Sequence, residues 1–288
     1  MKYSLLLLAW LAFVPISVAQ ELEFAQWKIK RQVELTGEDG WLNLVGLVWM
    51  EADSPYLEEV NGITLGFAKS SGTATLGKFE FGQDSVWFEP TELALQKNSN
   101  SPQSKRMLVY PIPYGSGGVY FKNWKWTIIQ RGGNYALRLR DLSHPNLKEF
   151  TPTPTFDYNS SFRFQAKLIP RFNQTMDIPN VLGQVITWKV IGVLQFEYEG
   201  KDFELLVLDE LGKLFVLFAD ETSALETYPT GRYLYVNPPD AKGMTVLDFN
   251  YAYNPPCAYT EFATCPIPPK SNRLPFAVHA GEKVPTNH

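Results

Sequence analysis

The sequence predicts a mainly β protein: an antiparallel β-sandwich or barrel-like single domain with one N-terminal helix. Three observations carry that reading. From Trp41 onward, short apolar or alternating runs are separated by turn residues, the period-2 signature of strands. Almost no helical pattern lies between those runs, which argues against strand–helix–strand units. Aromatic residues make up 14% of the chain, with 8 Trp, 14 Tyr and 19 Phe, and flat bulky side chains suit pleated sheets.

The chain opens on MKYSLLLLAWLAFVPISVAQ. Lys2 gives a positive start, the stretch that follows is almost wholly apolar, and Ser17 and Ala19 sit at the spacing of a leader-cleavage site. The expectation is a secretory signal peptide over residues 1–19, cut before Gln20, and one β-rich domain over 20–288. The apolar run is shorter than the roughly 20 residues that span a bilayer, so the protein is not expected to be membrane-spanning. Its expected location is periplasmic or extracellular.

Residues 21–35 are predicted as the helix. Leu22, Ala25 and Trp27 fall near one face, Lys28, Lys30 and Arg31 lie toward solvent, and Thr36-Gly37 and Asp39-Gly40 stop it. Strands are predicted over 41–50, 62–68, 73–81, 84–89, 124–131, 135–141, 162–170, 185–199, 202–210, 213–220, 232–237, 245–250 and 274–280. Tight hairpins are expected at Arg131-Gly132-Gly133-Asn134, Tyr198-Glu199-Gly200-Lys201 and Glu210-Leu211-Gly212-Lys213. Polar residues 97–105 and the Thr-Pro alternation at 151–155 read as surface loops. Trp124, Trp126 and Ile128 share a strand face, read as a buried aromatic stripe in preference to a sugar-stacking platform.

A formal net charge of −4 gives no basic face for a nucleic-acid backbone, so no nucleic acid is expected as a partner. The nucleophile-elbow, phosphate-loop and dinucleotide motifs are absent, and Tyr114-Gly-Ser-Gly-Gly reads as a turn. No cofactor is implied. The two cysteines, Cys257 and Cys265, lie beside prolines in an exported chain, where a disulfide is the natural state. Two Cys and three scattered His make a poor metal site. His279 and Glu282 resemble an acid–base pair on paper, but a half-exposed strand His is the plainer reading.

The densest unusual sequence is DFNYAYNPPCAYT from Asp248, followed by TCPIPP, NRL and AGEK. With GWLNLVGLVW from Gly40, LRLRD from Leu137, D-E-T-S from Asp220, T-Y at Thr227 and G-R-Y-L from Gly231, it resembles the uncharacterised domain-of-unknown-function family sixteen eighty-four over nearly all of the mature chain. The C-terminal motif is highly specific. Ala224 departs from the pattern, which has Gly after the Thr-Ser pair. The resemblance implies no reaction, so any site must come from the residues themselves.

Alternation puts Arg138 and Arg140 on one strand face, and Asp248 and Asn250 on one face of another. Arg232, Asp141, Tyr228, Tyr253 and Asn254 could complete a shared polar pocket. In that pocket Asp248 and Arg232 would be catalytic, with Asp248 an ionised base or orienting group. Arg138, Arg140, Asn250, Tyr253 and Asn254 would bind a small polar or anionic ligand, since guanidinium groups clamp carboxylates and phosphates. The plainer alternative is a solvated outer face. Two functions follow: an enzyme on a small anionic molecule, a hydrolase among the options, or a binding module for a carbohydrate or cell-envelope ligand. A structural envelope role is the third.

Overall fold

The computed structural model describes residues 16–62, 64–92, 94, 106–111, 118–131 and 133–286. Most of the expected leader, the polar loop at 97–105, Gly132 and most of the glycine-rich turn at Tyr114 lie outside the described residues. Helix α1 (Ile16–Thr36) matches the predicted helix and extends it by one turn at its start.

The strands follow in chain order. The first six are β1 (Leu44–Trp49), β2 (Tyr56–Val60), β3 (Thr64–Ala68), β4 (Thr75–Phe81), β5 (Val86–Pro90) and β6 (Met107–Tyr110). Next are β7 (Val119–Phe121), β8 (Trp124–Arg131), β9 (Asn134–Asp141) and the long β10 (Arg163–Pro179). The last five are β11 (Val185–Tyr198), β12 (Lys201–Glu210), β13 (Lys213–Phe218), β14 (Arg232–Val236) and β15 (Met244–Asp248). They form three sheets of neighbour order β1-β9-β8-β7, β3-β2-β4-β5-β6 and β14-β13-β12-β11-β10-β15, with every strand pair antiparallel. The mainly β expectation holds.

The two smaller sheets share one core. Leu57, Leu76, Phe79 and Phe88 from one meet Trp126, Ile128, Leu137 and Leu139 from the other. Trp124 and Trp126 are buried there, which bears out the aromatic stripe. The six-stranded sheet carries a core on each face. Along β12 and β13, Leu205, Val207, Val216 and Phe218 point into one, while Leu206, Leu208, Phe215 and Leu217 point into the other. The continuous apolar runs of these strands reflect that double burial.

Two of the expected hairpin turns close as two-residue loops with both central residues in the left-handed region: Glu199 and Gly200 at φ 51° and 72°, Leu211 and Gly212 at 52° and 83°. This is the backbone that the right-handed twist of the flanking strands demands.

Two predicted strands need correction. Residues 274–280 form no strand, because their backbone groups are used elsewhere. The carbonyls of Val278 and Ala280 accept from the Arg232 guanidinium, and the Val278 N–H donates to Asp220. The strand predicted over 245–250 stops at Asp248, whose carboxylate accepts from the Asn250 backbone N–H at 3.0 Å and starts a 3-10 turn. Asn250 therefore leaves the alternation that would have put it on the face of Asp248.

Candidate anion-binding cleft

A cleft of about 840 Å³ opens where α1, the β8–β9 end of the four-stranded sheet and one face of the six-stranded sheet meet. Each wall has a local cause. Helix α1 is held by Phe24 and Leu35, both buried, and by Arg31. Arg31 Nε donates to Glu282 at 3.0 Å, Nη2 donates to the Asn254 carbonyl at 3.1 Å, and the guanidinium lies 4.7 Å from the Tyr253 ring centre. Burial opposes the charge on Arg31, but Glu282 and the neighbouring tyrosines outweigh it and hold its pKa above the ordinary value. This anchoring turns Trp27, Lys30, Arg31 and Glu34 toward the cleft.

The aromatic wall comes from β11, β13 and β14 and from Tyr253, which bridges to β14 at Tyr233. The rings of Trp188 and Phe215 are 5.9 Å apart, those of Phe215 and Tyr235 5.1 Å, and those of Tyr235 and Tyr253 5.9 Å. A further edge is the loop closed by the Cys257–Cys265 disulfide, which contributes Pro256, Ala263, Thr264, Cys265 and Pro266. The bridge expected from the sequence is present, with its Cα atoms 6.2 Å apart. The Thr260 hydroxyl donates to the Leu44 carbonyl at 2.8 Å, tying this loop to β1.

The lining holds six cationic residues (Lys30, Arg31, Arg131, Arg138, Lys189, Lys213) against three acidic ones (Glu34, Asp209, Glu210), in a chain whose net charge is −4. Several are already paired: Lys30 with Glu34 at 3.9 Å and Lys189 with Asp209 at 3.1 Å. Arg138 is not. Among the described residues it makes no hydrogen bond or ion pair; the Trp41 ring lies beside it at 5.3 Å, and its Nε is buried without a partner. Desolvation, with Arg131 and Arg140 nearby, pulls its pKa down to about 9. Two other buried polar atoms without a partner, Trp188 Nε1 and Thr264 Oγ1, also belong to lining residues. Buried polar groups are nearly always satisfied, and three such atoms in the wall of one cavity set this region apart, although each is itself closed off from solvent.

The structure does not gather the predicted site into one pocket. Of those residues, Arg138 and Tyr253 line the cleft. Arg140 is buried, and its guanidinium donates to the carbonyls of Asp39 and Gly40. Arg232 is fully buried, paired with Asp220 at 2.9 Å and bonded to the carbonyls of Val278 and Ala280. Such a position fixes a loop and touches no ligand. Asp248 pairs with its cross-strand neighbour Arg163 at 3.4 Å. Burial raises its pKa, with hydrogen bonds from Asn250 and the charge of Arg163 opposing; its cationic partner is Arg163, and the expected grouping of Asp248 with Arg138 and Arg140 is corrected. Asn250 exchanges hydrogen bonds with the Asn159 backbone. Asn254 donates its backbone N–H to Glu282 and its side-chain amide to the Lys283 carbonyl. Asp141 caps a turn at Ser143, and the Tyr228 hydroxyl donates to the Cys257 carbonyl. His279 is exposed and lies 3.3 Å from Glu226, while Glu282 belongs to the Arg31 network.

The reading of the sequence missed Trp27, Arg31, Arg131, Trp188 and Tyr235. Tyr235 alternates with the buried Leu234 and Val236, the pattern of an outward strand face, whereas Trp188 stands between Thr187 and Lys189. Only the packing of α1 and the disulfide loop over that face turns it into a cleft.

Fold and cleft together define a β-sheet protein with a cation-rich, aromatic-walled cavity at the junction of its sheets. Residues 148–283 match the family model described as a protein of unknown function (DUF1684), and the chain belongs to that family. Of the segments upstream of the C-terminal motif that resembled the family, those from Gly40 and Leu137 lie outside the matched residues, and those between Asp220 and Leu234 lie inside them. A solution NMR structure of an uncharacterised protein from Haloarcula marismortui is 30% identical in sequence, over 50% of this chain and 83% of that one, with a TM-score of 0.42. No curated protein matches the chain. Among the described residues no helix is long and apolar enough to cross a membrane.

Proposed function

We propose that the chain binds a small anionic molecule in this cleft, with Arg138 as the main anchor of the anionic group. The observation that carries the proposal is an arginine set among other arginines with no carboxylate on it. Without a partner that arrangement is unfavourable, since desolvation and like charges both work against the cation. A carboxylate or phosphate relieves both, and the volume suits a small molecule.

Binding is favoured over hydrolysis by the chemistry of the lining. It offers phenols, indoles and the hydroxyls of Thr187 and Thr264; among the described residues no histidine lines it, and its carboxylates Glu34, Asp209 and Glu210 are engaged by Lys30, Lys189 and Tyr235. The test is isothermal titration with inorganic phosphate and with benzoate. At least one should bind the wild type, and Arg138→Met should weaken it by roughly tenfold or more, the loss of a charge-assisted hydrogen bond. Only the protonated guanidinium attracts the anion, so affinity should be highest below pH about 9 and decline above it. Equal affinity in the wild type and Arg138→Met, at every pH, would remove the anchor from the proposal.

A further inference from the structure

Resting on that reading, we infer that the ligand carries its anionic group on a flat unsaturated ring, as an aryl phosphate or aryl carboxylate does. Its ring lies on the Trp188–Phe215–Tyr235–Tyr253 wall and its anion at Arg138.

The ring geometry is the first support. Successive rings along the wall make interplanar angles of 34°, 34° and 24° at centroid separations of 5.9, 5.1 and 5.9 Å, so they lean on one another as offset pairs in a continuous aromatic wall. Most aromatic contacts inside the cores are edge-on or steeply tilted, which fills space but offers no extended face. Within the wall Tyr235 is 41% exposed. Its hydroxyl donates to Glu210, which fixes the plane of the ring. The flexible Lys213 ammonium lies over this ring, 5.2 Å from its centre, and a ligand ring stacked on Tyr235 would take that place.

The second support separates an aryl ring from a sugar. Sugar recognition needs carboxylates or amides free to bond hydroxyl groups, as well as an aromatic platform. The two lining carboxylates nearest this wall are already engaged. Glu210 accepts from Tyr235, and Asp209 accepts from Lys189 and from the Gly212 backbone N–H. The lining as a whole is weighted toward cationic donors, with Arg131 and Arg138 beside this wall and, among the described residues, no ion pair to either, which suits an anion.

The experiment compares three probes of similar charge by isothermal titration: phenyl phosphate, methyl phosphate and glucose 1-phosphate. Phenyl phosphate should bind roughly tenfold tighter than the other two, the worth of a good stacking contact. Tyr235→Leu should remove most of that preference while leaving methyl phosphate affinity unchanged, and Arg138→Met should weaken all three together. Should Tyr235→Leu fail to fold, the wild-type preference alone decides, with Trp188→Leu as the second variant. Equal affinity for phenyl and methyl phosphate overturns the flat-ring inference and leaves the anion reading standing. A preference for glucose 1-phosphate overturns it in favour of a sugar. Failure of all three probes to bind the wild type overturns both.

Discussion

Ala224 holds a backbone φ of 67° with its side chain exposed, in the left-handed region where a Cβ costs roughly 1–2 kcal/mol. It is the position where the resemblance read from the sequence leads us to expect Gly. The turn is kept by its hydrogen bonds: Thr222 and Thr227 share a side-chain bond of 2.9 Å, and the Ala224 N–H donates to the Thr227 carbonyl at 3.1 Å. Ala224→Gly relieves the steric strain but adds freedom to the unfolded chain, so the expected net gain is about 0.5–1 kcal/mol. Urea denaturation measures it; a loss of stability would show that the turn is not strained. The same scale explains how far the candidate site could be read. Arg138 and Arg140 look alike in sequence, two residues apart on one strand face. Whether a guanidinium is spent or free depends on what lies opposite. Arg140 meets the carbonyls of Asp39 and Gly40, and Arg138 meets only Trp41 and other cations. Composition and alternation identify both and cannot separate them.

At the scale of elements, α1 decides whether the cleft has its second wall. Its apolar face is narrow, and Val18, Leu22, Ile29 and Val33 are exposed, so docking leans on Phe24, Leu35 and the Arg31–Glu282 pair. The side chains of that pair are 11% and 1% exposed. Removing one partner of a buried pair leaves an uncompensated charge, which costs about 3–5 kcal/mol. Glu282→Gln should therefore destabilise by about 3 kcal/mol in denaturant and make α1 an early target of limited proteolysis; a change below about 1 kcal/mol would show the pair to be incidental. The strands themselves were legible wherever a run was long and apolar. Three were not seen: β6 and β7 are four and three residues long, too short for alternation to register, and β2, no shorter than β3 or β5, carries the consecutive Glu58 and Glu59 that break it. The length of β10 was also hidden, because its middle, from Arg171 to Thr175, is exposed and, apart from Phe172, polar. Residues 274–280 gave the opposite error. Their alternation is real, with Leu274, Val278 and Ala280 buried, but the ladder they complete is made by the Arg232 side chain.

For the whole molecule, the cleft draws on both halves of the chain. Arg131, Arg138 and Trp41 come from residues before the family-matched segment, while the aromatic wall and the disulfide loop lie inside it. Export, compartment and fold class are properties a sequence can suggest from local patterns. A cavity between sheets is not, since it exists only after long-range packing has brought residues 31, 138, 188, 235 and 253 together. The central claim is that this junction holds an anion at Arg138. The most direct measurement is a crystal structure of the wild type soaked in phenyl phosphate. The account predicts phosphate oxygens within about 3 Å of the Arg138 guanidinium, at hydrogen-bond distance, and the phenyl ring against Tyr235. A phosphate bound elsewhere on the surface, with the cleft filled by water and Arg138 untouched, would contradict it.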